Sequence, residues 1–74
     1  MICGKLVYNE NTDRYEIDSM DNLPVDLHAG TPLEVAIRKE WLPTRIEYSW
    51  KRSAWYLVGI NREDIEGLLV RAEE

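Results

Sequence analysis

Apolar and polar residues alternate most regularly in residues 32–60, which read PLEVAIRKEWLPTRIEYSWKRSAWYLVGI. At the start of this segment Leu33, Val35 and Ile37 are apolar, whereas the positions between them are charged or small. Because side chains alternate across a β-strand, this period of two predicts one buried face and one solvated face. We therefore interpret the segment as an antiparallel meander of three strands.

The second strand of the meander covers residues 42–48 and carries its apolar side chains at alternate positions. Matching the apolar faces of the first two strands pairs Ile37 with Leu42. The same register sets Glu34 opposite Arg45 on the solvated face, where opposite charges stabilise a cross-strand pair. A slip by one residue would turn one apolar face outward, so we expect this register to be well specified.

Pro43 restricts the connection between these two strands, because proline has no N–H for the hydrogen-bonded ladder. A two-residue turn at Lys39 and Glu40 would place Pro43 in a hydrogen-bonded pair. It would also lack the Asn-Gly or Asp-Gly sequence that such turns favour. A four-residue loop over residues 38–41 places Pro43 in a non-hydrogen-bonded pair, where the missing N–H matters less. We therefore predict the four-residue loop.

The segment AWYLVGI at residues 54–60 is the longest uncharged apolar run of the chain. Such a density of aromatic and β-branched residues is typical of a central strand that is covered on both faces. We therefore predict the third meander strand over residues 54–58, with Gly59 ending it or bending it as a bulge. Trp55 lies in the middle of this run and is expected to be buried.

Two shorter strands precede the meander and are predicted to form a hairpin. Residues 1–8 and 14–17 alternate in polarity, and the polar segment NENTD at residues 9–13 is typical of a turn. The side chains expected on the inward face of this hairpin are Leu6, Tyr8, Tyr15 and Ile17.

The segment 18–31 has no clean period and contains Pro24 and Gly30, so we interpret it as a loop. A loop of this length in a small domain is either functional or packed over the core, and we favour the second. The apolar residues expected to cover an open end of the molecule are Met20, Leu23, Val25 and Leu27.

Residues 61–67, NREDIEG, carry the signals of one helical turn, with a capping Asn61 at the start and Gly67 at the end. Residues 68–71 are expected to form a last short strand, followed by a frayed end. About six strands of this length must close on themselves to hide their edges. The predicted fold is all-β, a small SH3-like antiparallel barrel with one short helical turn; the alternative is an OB-like barrel.

The 74 residues predict a single domain, 1–74, with a small core. The net charge of −5 weighs against a general binder of the phosphate backbone, which needs a basic surface. No apolar run reaches the roughly 18–20 residues of a membrane span, and the start lacks the pattern of a signal peptide. We therefore expect a cytoplasmic protein, a monomer or weak homodimer, that does not enter a membrane. The residues expected in its core are Leu6, Tyr15, Leu33, Val35, Ile37, Ile46, Trp55 and Leu57.

Catalytic chemistry has few candidates in this chain. It contains one cysteine, Cys3, and one histidine, His28, which lie far apart in the sequence. Zinc takes about four closely spaced ligands, so neither a metal nor another cofactor is expected. The serines lack the glycines of a nucleophile elbow, and no glycine-rich phosphate loop is present. The sequence therefore predicts no catalytic residues and no enzyme activity.

Arginine and tryptophan side chains cluster in the two loops that flank the second strand of the meander. These residue types are enriched at binding hot spots, and loops on a rigid β-scaffold often carry binding residues. Each residue alone is better interpreted as covering an end of the barrel or solvating a loop. As a group they are the best candidate for a binding face, which is predicted to contain Arg38, Trp41, Trp50 and Arg52.

Several segments of the chain resemble a known family: GKLVYNENTDRYEI at residues 4–17, then HAGTPLEV, WLPTRIE, WYLVGI and GLLVR. The family consists of small uncharacterised proteins from Gram-positive bacteria and their mobile elements, described as a domain of unknown function. Where a turn of the Asp-Gly type is usual in the family, this chain has Lys39 and Glu40 before Trp41. The resemblance implies a compact β-domain and brings no known activity or catalytic residues.

Two functions remain as hypotheses. The first is a non-catalytic interaction module that binds a protein or peptide, which the net charge of −5 favours. The alternative is a nucleic-acid-associated accessory factor, which an origin in a mobile element would suit. A net positive field around Trp41 and Trp50 would favour the alternative, because nucleic acid demands a basic face.

Overall fold

The fold is an antiparallel β-sheet, seen in a computed structural model that describes residues 1–20 and 23–73. The strands pair in the order β3-β2-β1-β7-β4-β5-β6, so β3 and β6 are the edges. No helix occurs in the part of the chain that is described. The seven strands are β1 (Ile2–Asn9), β2 (Arg14–Asp18), β3 (Val25–Asp26), β4 (Pro32–Ile37), β5 (Glu40–Ser49), β6 (Ala54–Leu57) and β7 (Leu69–Ala72).

The all-β antiparallel class predicted from the sequence is confirmed, whereas closure into a barrel is not. In the described part of the chain no ladder joins β3 to β6, so the sheet stays open, and the SH3-like and OB-like assignments lack support. Within the same residues, no helix is long and apolar enough to cross a lipid bilayer.

The N-terminal hairpin has the predicted arrangement. Leu6 lies opposite Ile17 and Tyr8 lies opposite Tyr15, so the four residues share one face, but Tyr15 is only half-buried and Tyr8, expected to point inward, is exposed. The turn closes because the carbonyl of Asn9 accepts hydrogen bonds from the amides of the third and fourth residues after it. Leu6 and Ile17 are fully buried, which makes this hairpin one wall of the core.

The predicted register between β4 and β5 is wrong by two residues. Val35 lies opposite Leu42 and Glu34 lies opposite Pro43, and the connection is a two-residue turn at Arg38 and Lys39. A shift by two keeps every side chain on its face, so the apolar pattern could not distinguish the two registers. The predicted four-residue loop is therefore also wrong.

The observed register meets the constraint that proline imposes. The amide of Ile46 donates to the carbonyl of Thr31 at 3.1 Å, which makes this a hydrogen-bonded pair. Because such pairs alternate along an antiparallel ladder, Pro43 stands in a non-hydrogen-bonded pair with Glu34. No hydrogen bond to β4 is lost at Pro43, even though the connection is a two-residue turn.

Glu34 and Arg45 have other partners than the sequence predicted. They share the solvated face, but Arg71 Nε donates to Glu34 Oε1 at 2.7 Å, and Arg45 Nε donates to Glu47 Oε2 at 2.9 Å. Glu34 lies directly opposite Arg71 because β7 runs along the other side of β4. The predicted Glu34–Arg45 pair is therefore replaced by one between more distant parts of the chain.

Strand β7 occupies the middle of the sheet, between β1 and β4, and Val70 on it is fully buried. The segment AWYLVGI, predicted to be central, instead supplies the edge strand β6. A high proportion of apolar residues in a segment indicates that its side chains are covered. It does not indicate how many strands pair with its backbone. Strand β6 is only partly covered: Leu57 is buried, Trp55 and Tyr56 are half-buried, and Ala54 is exposed.

The core agrees with the prediction on the strands and departs from it in the loops. Of the predicted core residues, five are buried, and Tyr15, Ile37 and Trp55 pack against them while partly exposed. Among the apolar residues expected to cover the core from residues 18–31, only Leu27 does so; the other three, Met20, Leu23 and Val25, are exposed. The full buried set is Ile2, Leu6, Ile17, Leu27, Leu33, Val35, Ile46, Leu57, Ile65, Val70 and Ala72.

Residues 61–67 form an irregular loop, and the predicted helical turn is wrong. Ile65 points into the core and is 1% exposed. The amide of Leu68 bonds to the carbonyl of Ile65, and Gly67 has a φ of 83°, so the loop ends in a β-turn that favours glycine there. The burial of Ile65 decides the path of this segment. A helix-capping pattern does not reveal that this side chain is buried.

Candidate functional site

The four predicted binding residues lie at two ends of β5 rather than on one surface. Arg38 and Trp41 stand at its start, whereas Trp50 and Arg52 lie in the loop after its end. Ten residues of strand, at about 3.4 Å each, separate these ends by about 30 Å along the strand. The four residues therefore do not share one surface, and each end of β5 carries two of them.

Trp41 is engaged by a neighbouring side chain on the solvated face of the sheet. The guanidinium carbon of Arg71 lies 4.2 Å from the centroid of the Trp41 ring, within the range of a cation–π contact. The same guanidinium bonds to Glu34, which holds it over the ring. Trp41 is therefore half-buried under Arg71 and offers less of its surface than the sequence suggested.

Trp50 is 86% exposed, which is unusual for the largest apolar side chain. Its ring meets the ring of Tyr48 edge to face, with the centroids 4.9 Å apart. Tyr48 makes a second edge contact with Trp55 at 5.1 Å, across the β5–β6 ladder. Three aromatic rings thus form a continuous apolar wall at the end of β5.

This wall belongs to a cavity of about 460 Å³ that we name the aromatic groove. The turn of the N-terminal hairpin closes it on one side, because the indole N–H of Trp55 donates to the carbonyl of Asp13 at 3.1 Å. The groove is open to solvent along Trp50. Its lining residues are Thr12, Asp13, Arg14, Ala29, Glu47, Tyr48, Trp50 and Trp55.

The Tyr8 hydroxyl donates a hydrogen bond to Oδ1 of Asp13, a lining residue of the groove. This bond to a carboxylate, with desolvation and the charge of Asp13, raises the pKa of Tyr8 to about 12. Burial, followed by the charges of Glu66 and Asp64, raises the pKa of Tyr15. The ring of Tyr8 packs edge to face on the ring of Tyr15, with the centroids 5.4 Å apart, and neither ring is among the residues that line the groove.

Charged groups around the groove carry both signs. Asp13 and Glu47 contribute carboxylates, and Arg14 contributes one cation. Arg52 lies outside the groove with its guanidinium carbon 5.4 Å from the centroid of the Tyr56 ring. The lining has one more carboxylate than cations, in keeping with the net charge of −5.

Sequence reasoning missed Tyr48, Trp55 and Asp13 as members of this groove. The apolar run places Trp55 in the predicted core, and the polar segment NENTD places Asp13 in a turn. The signal that could have found the ring pair is the cross-strand register, which sets Tyr48 opposite Trp55. The contact to Asp13 had no such signal, because it joins residues 42 positions apart.

The described residues contain no cluster of three or more histidine, cysteine, aspartate or glutamate side chains placed to hold a metal ion. Cys3 and His28 are both exposed, Cys3 on β1 and His28 in the loop before β4. What the groove offers a ligand is aromatic surface, a few charges and backbone groups.

Over residues 4–72 the chain matches the family model described as "Domain of unknown function (DUF5348)". Among solved structures it is similar to the crystal structure of a protein from Ruminococcus gnavus, determined by the Northeast Structural Genomics Consortium. The two are 37% identical with a TM-score of 0.81, over 93% of this chain and 97% of the other. No curated protein matches. The expected resemblance to a small uncharacterised domain is confirmed at this level.

Proposed function

We propose that this chain, which belongs to the DUF5348 family of domains of unknown function, is a non-catalytic module that binds an extended peptide segment of a partner protein in the aromatic groove. The observation that carries the proposal is Trp50, which is 86% exposed at the open side of a wall of three rings. Tryptophan is among the residues most enriched at binding hot spots, and it supplies a large contact area.

The groove is built to receive a ligand with little rearrangement. Tyr48 is held between two other rings, and Trp55 is tied to the hairpin turn by its indole N–H. A wall that is already ordered loses little conformational entropy when it binds. Its volume of about 460 Å³ falls within the range of small-ligand pockets and suits one or two residues of a peptide.

The composition of the groove favours a proline-containing peptide with a basic residue. Aromatic-lined grooves recognise the extended polyproline II conformation, because that helix is preformed and its prolines pack on flat rings. One oxygen of each of the carboxylates of Asp13 and Glu47 is bonded within the chain, to Tyr8 and Arg45, and the second oxygen of each suits a nearby arginine or lysine of the peptide. In this respect the proposed mode of binding is SH3-like.

A second candidate is the nucleic-acid-associated factor. The exposed sequence Trp50-Lys51-Arg52 favours it, since a single-stranded base could stack on the indole while the cations contact phosphate. The net charge of −5 and the carboxylates of the groove oppose it. For either candidate function we also propose a cytoplasmic location and a monomeric or weakly dimeric state.

The test compares two substitutions at equally exposed apolar residues. Trp50→Ala removes the open wall of the groove, and Leu23→Ala removes a side chain that is likewise 86% exposed. A fluorescein-labelled decapeptide of prolines with one central arginine serves as the probe, in fluorescence polarisation. We expect Trp50→Ala to weaken binding at least about tenfold and Leu23→Ala to leave it unchanged.

Unfolding by urea provides the control on folding, and both variants should stay within about 1 kcal/mol of the parent. Equal affinities of the two variants would show that the groove is not the site. A single-stranded oligothymidine that binds more tightly than the peptide, with an affinity that falls steeply between about 50 mM and 200 mM salt, would support the nucleic-acid candidate instead.

A further inference from the structure

A second cavity, of about 510 Å³, lies at the other end of β5. Its floor is apolar and is formed by the half-buried side chains of Ile37, Leu42 and Ile60. Arg38 stands on its rim in the β4–β5 turn, and Arg62 stands on its rim in the loop after β6. We name this cavity the cationic groove. The ten residues of β5 separate it from the aromatic groove.

The two guanidinium groups on this rim have no partner in the described part of the chain. Arg45 and Arg71 form ion pairs with Glu47 and Glu34, whereas neither Arg38 nor Arg62 lies within ion-pair distance of a carboxylate there. Among the lining residues, two cations face the single carboxylate of Glu40. The groove therefore carries a local positive charge on a chain whose net charge is −5.

The turn that presents these cations has an unfavourable sequence. Arg38 and Lys39 have φ values of 51° and 70°, in the left-handed region that side chains with a Cβ rarely adopt. Two-residue hairpin turns of this kind favour Asn-Gly, which would relieve the strain. Strained backbone of this kind is concentrated at functional sites. The chain thus keeps two cations at positions where the backbone conformation alone favours asparagine or aspartate followed by glycine.

We propose that the cationic groove is a second binding site, which takes an acidic segment of a partner protein. An apolar side chain of the segment packs on the floor, and flanking carboxylates pair with Arg38 and Arg62. Arginine suits this contact because its planar fork binds a carboxylate through two parallel hydrogen bonds. The site uses none of the residues of the aromatic groove, so the proposal stands without the function proposed above.

The test uses a blocked hexapeptide with Glu-Leu-Glu at its centre, added to ¹⁵N-labelled protein. We expect amide shifts centred on residues 38–42 and 60–62, and binding at least about tenfold weaker for the matching Gln-Leu-Gln peptide. Arg62→Gln should weaken binding by a similar factor. Lys51→Gln removes the same charge at the other end of β5 and should change the affinity less than about twofold.

A double substitution, Arg38→Asn with Lys39→Gly, separates binding from stability. It places the preferred turn residues at positive φ, so the urea midpoint should rise, while peptide affinity should fall at least about tenfold. The proposal is wrong if this variant binds as tightly as the parent, or if Lys51→Gln weakens binding as much as Arg62→Gln. Absence of shifts at millimolar peptide, or stronger shifts of the same amides with oligothymidine, would equally overturn it.

Discussion

Asp13 joins the hairpin turn to the aromatic groove through two different groups. Its side-chain Oδ1 accepts the hydroxyl proton of Tyr8, and its backbone carbonyl accepts the indole N–H of Trp55. Its φ of 57° lies in a region that aspartate tolerates better than most residues. A single turn residue therefore positions one tyrosine and one tryptophan on separate strands.

Tyr8 should titrate later than an ordinary tyrosine. Its pKa is raised from 10.0 to about 12, because ionisation would break the hydrogen bond to Asp13 and add a second negative charge beside it. Below pH 10 the folded and unfolded chains both keep the proton, and the contact contributes fully to stability. Between pH 10 and 12 the unfolded chain ionises first, so this contribution is lost as the pH rises.

The measurement is the phenolate absorbance of the protein minus that of the Tyr8→Phe variant, followed with pH. We expect a midpoint near pH 12. Asp13→Asn removes the charge while keeping an acceptor oxygen, so it should lower the midpoint part of the way to 10. A midpoint near 10 in the parent protein would show that the Tyr8–Asp13 contact does not form in solution.

At the scale of elements, the segment from residue 60 to the end of β7 holds the sheet together from its middle. β7 pairs with β1 on one side and with β4 on the other. The loop before it is fastened to β1, since Gly67 donates to the carbonyl of Leu6 at 2.7 Å and the amide of Leu6 donates to Leu68 at 2.9 Å. Ile65 in this loop is buried among the strands.

The loop residue Ile65 should therefore matter as much as a core residue of a strand. Ile65→Ala should lower the free energy of unfolding by about 2–5 kcal/mol, because it leaves a cavity in the core. That is a large part of the roughly 5–15 kcal/mol that stabilises a typical domain. The measurement is a urea titration followed by tryptophan fluorescence.

Leu69→Ala, four residues along the chain, is the control for this substitution. Leu69 is 43% exposed, so its truncation should cost only about 0.5 kcal/mol. If both variants unfold at the same urea concentration, then Ile65 is not part of the core.

At the scale of the whole molecule, β5 separates two surfaces of different chemistry. One is aromatic and also lined by carboxylates, and the other combines three aliphatic side chains with two arginines that form no ion pair within the described residues. The molecule extends 34 × 29 × 18 Å, so each surface takes up one end of a small sheet. Such an arrangement suits a module that holds two segments at once.

The two grooves should bind their peptides independently. They share no lining residue, and the ten residues of β5 separate them. Saturating the cationic groove with the Glu-Leu-Glu peptide should therefore change the affinity of the proline–arginine peptide less than about twofold. Competition between the peptides in a polarisation titration would show that they occupy a single site.

The strands and their inward faces could be predicted from the sequence alone. Alternation at Leu33, Val35 and Ile37, or at Leu6 and Tyr8, reports directly which side chains leave water, because successive side chains on a strand point to opposite faces. The all-β class follows from the same local information, whereas the 86% exposure of Trp50 does not, because the sequence taken residue by residue favours a tryptophan that covers an end of the molecule. Of the four residues predicted for a binding face, Trp50 lines the aromatic groove and Arg38 lines the cationic groove, whereas Trp41 and Arg52 line neither.

Tertiary structure alone decided which strands are neighbours and which residues share a groove. A register shift of two residues preserves every face, so Val35 can pair with Leu42 or Thr44 without any change in the apolar pattern. The place of β7 between β1 and β4, and the contact of Trp55 with a turn 42 residues earlier, depend on long-range closure of the chain. The alternation of apolar and polar residues indicates which side chains face the core. It does not identify the residues that pack against them.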